Sequence, residues 1–176
     1  RQVRGRFKEA LQTLKTSRCY GEHGERWRND LPWYLLIGEQ GSGKSQLLAA
    51  GGVRFPLDRS DTPSGTTAYF DWFLADEAVI VESAGRYLTQ PDGEVDEAGW
   101  ATLLGLLKSR RRARPLNGVV VTLAMDTLLG GNEHDLDLHA RHVHARLQDI
   151  HQTLHMDVPI YLVLTQADRL PGFAEF

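Results

Sequence analysis

The chain has 176 residues, a formal net charge of −3 and a single cysteine, Cys19. That length suits one domain with a proper core. The acidic balance argues against a nucleic-acid-binding surface, and one thiol excludes an internal disulfide and fits a reducing compartment. No apolar run approaches the roughly 20 residues of a membrane-spanning helix. The chain starts at Arg1 with no secretory leader, as expected of a segment of a longer protein.

Residues 1–20 place Phe7, Ala10, Leu11 and Leu14 at helical spacing among basic residues, which predicts an amphipathic helix. It either covers a sheet edge or face or serves as a docking helix; the former is the simpler reading. A polar connector follows over 21–30, so residues 1–30 are set apart from a domain over 31–176. Trp33–Ile37 reads as a buried strand that stops at a glycine. Gly38-Glu39-Gln40-Gly41-Ser42-Gly43-Lys44-Ser45 then opens a helix-competent segment beginning at Gln46. This is the G-x-x-x-x-G-K-[ST] pattern in a strand–loop–helix setting. Its glycines let successive backbone N–H groups turn inward around phosphates, and the helix start adds its positive dipole end. Lys44 would reach the β- and γ-phosphates, and the Ser45 hydroxyl would sit on Mg²⁺.

The polar stretch 58–67 is a long loop, and in nucleotide switches such a loop supplies a Thr hydroxyl to Mg²⁺. Thr66 and Thr67 are the candidates, Thr66 being preferred as a metal and catalytic residue; a merely solvated loop is the other reading. Tyr69–Leu74 and Ala78–Val81 read as a β-hairpin about a tight turn at 75–77. Its second strand ends in Glu82-Ser83-Ala84-Gly85. An acidic residue there, three before a glycine, is placed to hold Mg²⁺ through a bridging water while Gly85 approaches the γ-phosphate. Asp is usual at this point, so Glu82 is one methylene longer. Arg86 stands where efficient hydrolases carry a water-orienting Gln; it has donors and no acceptor, which predicts slow turnover.

Asp92–Glu97 is acidic and turn-like, and Trp100 to Leu107 form a helix running into five cations within Lys108–Arg114. These cations either bind an acidic partner or lipid headgroups or simply complement the helix dipole, the simpler reading. Val119–Leu123 has the composition of a fully buried parallel strand. Residues 132–157 hold six of the seven histidines. There Leu136, Val143, Leu147, Ile150 and Leu154 form one helical stripe. No acidic or cysteine partner completes a zinc site for a pair such as His151 and His155, so the histidines are read as solvated. Ile160–Leu164 reads as another buried strand, ending in Thr165-Gln166-Ala167-Asp168. In guanine-specific switches this position carries [N/T]-K-x-D, whose Asp accepts from the guanine ring. Thr165 and Asp168 fit that pattern, while Gln166 replaces the lysine that covers the base.

These segments predict a three-layer α/β sandwich of the Ras-like phosphate-loop type. Its sheet is mostly parallel with one antiparallel hairpin strand, and the chain ends before the last strand and helix. Gly38–Ser45, Glu82–Gly85 and Thr165–Asp168 should converge at the carboxyl ends of the strands, where α/β sheets hold ligands. The implied cofactor is Mg²⁺ with GTP or ATP. The competing functions are a scaffold with a vestigial nucleotide site and a fast ATPase motor.

Several unusual blocks resemble the cytoplasmic nucleotide-binding domain of the TssM/IcmF family, an inner-membrane component of type VI secretion systems. They are Leu31–Gly38 with the loop itself, Arg54-Phe55-Pro56-Leu57, Asp71-Trp72-Phe73, Asp76-Glu77-Ala78-Val79, Ser83-Ala84-Gly85-Arg86-Tyr87, Asn117-Gly118-Val119, Pro159–Thr165 and Pro171-Gly172-Phe173. The resemblance implies transmembrane anchors outside this segment and a place at the cytoplasmic face of the inner membrane. It also implies a second inner-membrane protein and an outer-membrane lipoprotein as partners, with the baseplate opposite.

Overall fold

The computed structural model describes residues 2–16, 31–51, 69–74 and 78–175. The connector 21–30, the block Arg54–Leu57, Thr66 and Thr67, and Asp76-Glu77 lie outside the described residues. Among the described residues a five-stranded sheet has the order β2-β3-β1-β4-β5, with β1 Trp33–Gly38, β2 Phe70–Leu74, β3 Val79–Ser83, β4 Gly118–Ala124 and β5 Ile160–Thr165. Every pairing is parallel except β2 with β3. The α/β architecture, the mostly parallel sheet and the single antiparallel strand are as the sequence predicts. No helix among the described residues is long and apolar enough to cross a membrane.

The helices are α1 Gln2–Thr16, α2 Lys44–Ala50, α3 Arg86–Thr89, α4 Gly93–Arg110, α5 Met125–Gly130 and α6 Glu133–Leu154. Alternation along the strands divides their side chains between two faces. Trp33, Leu35, Ile37, Trp72, Val79, Val81, Val119 and Val121 face one way. They meet Phe7 of α1, Trp100, Leu103, Leu104 and Leu107 of α4, and Ile150 and Leu154 of α6. On the other face Leu36 and Phe73 meet Leu48 of α2. Phe7, Ala10 and Leu11 of α1 are thus spent on the core between the sheet and α4, where Phe7 sits edge-on to Trp72 at 5.0 Å between ring centroids.

Three expectations need correction. Asp92–Glu97 is not a turn, because α4 begins at Gly93 and its first turn carries Glu94 and Asp96, where carboxylates meet the positive end of the helix dipole. Asp96 is buried and accepts from the Arg86 Nε and, at 3.0 Å, from the Asp92 backbone N–H. The cation run complements the helix dipole only in part: Lys108 and Arg110 lie in the last turn of α4, and the other three cations lie beyond it. Arg111 lies beyond α4 with its side chain buried, donating to the Leu31 carbonyl at 3.0 Å, and Lys108 donates to the Thr153 carbonyl at 2.7 Å. Finally, β5 is not buried: Ile160, Tyr161, Leu162 and Leu164 are all exposed. β5 is the sheet edge, and among the described residues it pairs with β4 alone.

Tyr87, on α3, is packed against Trp100, and its hydroxyl has no hydrogen-bond partner among the described residues. Burial is the main cause that raises its pKa to about 12, with the Arg86 charge opposing and Asp96 assisting. The folded chain keeps this proton where the unfolded chain, with a pKa near 10, has lost it. Stability should therefore fall as pH rises from about 10 to about 12. Tyr87→Phe should remove that alkaline loss and raise the melting temperature by about 2–4 °C, from the roughly 1 kcal/mol cost of an unpaired buried hydroxyl. Melting curves across this pH range, with absorbance of the ionised phenol, check both.

Candidate functional site

The four parallel strands end along one side of the sheet, and β1 lies between β3 and β4. The chain leaves β1 for one flank and returns past it to the other, which makes the end of β1 a switch point where α/β sheets form a crevice. The loop 38–45 starts there. Gly41 and Gly43 have φ of 78° and 75°, a region open to glycine at little cost, and α2 begins directly behind them at Lys44.

Lys44 is turned inward. Its ammonium donates to the carbonyls of Gly38 at 3.0 Å and Glu39 at 2.7 Å. Burial lowers its pKa, while Glu82 and Glu39 pull it back up. The Ser45 hydroxyl faces both carboxylate oxygens of Glu82, at 2.9 and 3.1 Å. Glu82 is 2% exposed, so it is not a solvated carboxylate at a strand end. In the antiparallel ladder it stands directly opposite Asp71. A hydroxyl and a carboxylate brought together beside a buried ammonium are hard oxygen donors of the kind that suit Mg²⁺. Gly85 closes the far side: a β-carbon there would lie 2.3 Å from the Gln40 nitrogen, so only glycine lets the end of β3 lie against the loop.

The end of β5 reaches the same loop. Thr165 donates from Oγ1 to the Ser42 carbonyl at 2.7 Å, and Gln166 donates from Nε2 to the Gly41 carbonyl at 2.7 Å. Gln166 has a φ of 58°, a left-handed conformation that costs an L residue about 1–2 kcal/mol. Ser42 also shares a 2.8 Å hydrogen bond with Thr122 of β4. Three strands therefore brace the loop from behind, a role that sequence reasoning did not assign to Thr165 or Gln166. Asp168 is exposed in the one-turn helix Ala167–Arg169. Arg86 directs its Nε at Asp96 and not at the loop.

One histidine departs from the solvated reading. His139 of α6 is buried, and its Nδ1 meets the Glu39 carboxylate at 2.7 Å. Among the described residues no group of three or more potential ligands forms a metal cluster of His, Cys, Asp and Glu.

Residues 93–176 match the IcmF-related N-terminal domain. Over 180 aligned positions the chain is also 39% identical to the type VI secretion system component TssM1 of Pseudomonas aeruginosa, an alignment covering 99% of this chain and 16% of the relative. The chain belongs to the TssM/IcmF family. It spans about a sixth of the length of that TssM relative. The IcmF-related match begins after the phosphate loop and takes in α4, β4, α6 and β5, whereas the TssM1 alignment covers nearly all of the chain.

Proposed function

We propose that this chain is the nucleoside-triphosphate-binding domain of a type VI secretion membrane-complex protein, a slow NTPase or nucleotide switch that helps assembly or baseplate docking. The observation that carries the reading is the inward Lys44 beside the Ser45–Glu82 pair, at the carboxyl ends of β1 and β3. In this reading the loop amides from Gly38 to Gln46 and the Lys44 ammonium bind the phosphates. Ser45 and Glu82, with Thr66 outside the described residues, hold Mg²⁺, and Thr165, Gln166 and Asp168 face the base. When bound, Mg²⁺ neutralises charge on the β- and γ-phosphates. Turnover is slow because Arg86 lacks an acceptor and its Nε is held by Asp96. By family likeness the domain sits at the cytoplasmic face of the inner membrane, anchored by segments outside this one. Its partners there are other inner-membrane and baseplate components.

One observation favours a second reading, a docking scaffold without turnover. Lys44 and Ser45 are already satisfied by Gly38, Glu39 and Glu82, so an anion must displace an internal set of bonds. Calorimetric titration with GTP, GDP and ATP in Mg²⁺ separates the two. Binding in the micromolar range, with Asp168→Ala changing the guanine-to-adenine preference at least about fivefold, supports the switch. A folded domain that takes up no nucleotide at millimolar concentration is the scaffold.

A further inference from the structure

The phosphate loop is held at its leading edge by a side chain from across the chain. Glu39 is the loop's second residue. Its carbonyl accepts from the Lys44 ammonium at 2.7 Å and from the Ser42 amide at 3.2 Å. Its carboxylate meets His139 Nδ1, also at 2.7 Å, one hundred residues away on α6. An ionised carboxylate only accepts, so the Nδ1 proton points at Glu39. The environment is not that of a loose surface pair. The His139 side chain is 10% exposed and that of Glu39 33%. On α6 the buried residues are His139, Ile150 and Leu154. His139 stands three residues after Leu136 and four before Val143, at the edge of the apolar stripe, so the inward face of the helix carries it to the loop, where its Nδ1 meets Glu39.

We infer that His139 is a positioning residue of the phosphate loop. Through the Glu39 carboxylate it fixes the main chain of that residue, and with it the carbonyl that receives Lys44. Thr165 and Gln166 hold the carbonyls of Ser42 and Gly41, so the three ties act on Glu39, Gly41 and Ser42. A loop fixed before an anion arrives loses less freedom on binding it. This affinity consequence rests on the nucleotide reading above; the tie itself does not.

Two measurements on one variant set test the inference. In nucleotide-free protein, amide hydrogen exchange over residues 39–47 reports how firmly the loop is held. His139→Ala should speed exchange at Ser42 and its neighbours about tenfold. His139→Asn, whose side-chain amide places a donor near the Nδ1 position, should restore most of the protection. Glu39→Ala should match His139→Ala, and the double variant should add nothing, because both remove one contact. In parallel, affinity for Mg²⁺–GTP or Mg²⁺–ATP should drop about five- to tenfold in His139→Ala and recover in His139→Asn. Unchanged exchange in His139→Ala, identical behaviour of the Ala and Asn variants, or additive effects in the double variant would each overturn the inference. If wild type takes up no nucleotide, the nucleotide reading fails while the exchange data still decide the tie. Should His139→Ala not fold, Glu39→Ala and His139→Asn carry the same comparison.

Discussion

Lys44→Ala should weaken Mg²⁺–nucleotide binding at least about 100-fold, or roughly 2.7 kcal/mol, while the chain stays folded. The ammonium is the positive charge that the loop holds inward, and a triphosphate tail is the anion the pattern suits. Losing it removes a charge-assisted contact worth about 1.5–3 kcal/mol, in a place where burial strengthens the interaction. The effect on folding is a balance. Without Lys44, the carbonyls of Gly38 and Glu39 lose the ammonium as a donor, Glu39 keeping the Ser42 amide, which costs about 1–3 kcal/mol if water does not replace it. Against that, burial already works against the charged form, as the lowered pKa records, and that penalty disappears with the side chain. Lys44→Met keeps the packed stem and separates the charge from the cavity. Calorimetry for binding and thermal melts for folding read the two effects apart. Wild-type affinity in a folded Lys44→Ala protein would mean that the loop does not hold phosphate.

Much of this site is legible in the sequence because its determinants are local. Gly41, Gly43, Lys44 and Ser45 lie within five residues, and an apolar strand on one side and Leu47-Leu48 on the other fix their setting. Glu82 and Gly85 are local in the same sense, one at a strand end and one just beyond it. What was missed depends on partners far along the chain. His139 is one of several histidines on a polar helix, and nothing in the i, i+3, i+4 pattern of α6 points to a loop one hundred residues earlier. Thr165 matches a base-recognition pattern by type and Gln166 stands in place of its lysine, but their reach to Ser42 and Gly41 follows only once β5 lies two strands from β1. The composition of β5 announces a parallel strand and is silent on its place in the sheet. Val119–Leu123 and Ile160–Leu164 read alike, yet the first is central and the second is an edge. Arg111 is the same problem in another form, one cation among five, with no local mark that it turns inward.

For that arginine the expectation is a large loss of stability. Arg111→Ala should destabilise the fold by about 3 kcal/mol and lower the melting temperature by roughly 6–12 °C for a chain of this length. The guanidinium donates to the Leu31 carbonyl at 3.0 Å and the Asn117 Oδ1 at 3.2 Å. It also lies over the Trp33 ring, 5.1 Å from its centroid. Asn117 in turn accepts from the Trp33 amide at 3.0 Å and donates its own amide to the Trp33 carbonyl at 2.7 Å. One side chain therefore ties the entry of β1 to the entry of β4, the two strands on which the loop depends. Burial lowers its pKa to about 10, with the Arg114 charge adding, so the charge is held at a cost, and the net loss on removing it is smaller than the sum of its bonds. Arg111→Met, which keeps the stem over Trp33 without the burden of a buried charge, should lose less, about 1–2 kcal/mol. Arg111→Lys should fall near the alanine variant, because one ammonium does not span Leu31 and Asn117 as the planar fork does. Thermal and urea unfolding of the three variants order them. A melting temperature unchanged in Arg111→Ala would show that the strand entries hold without this tie.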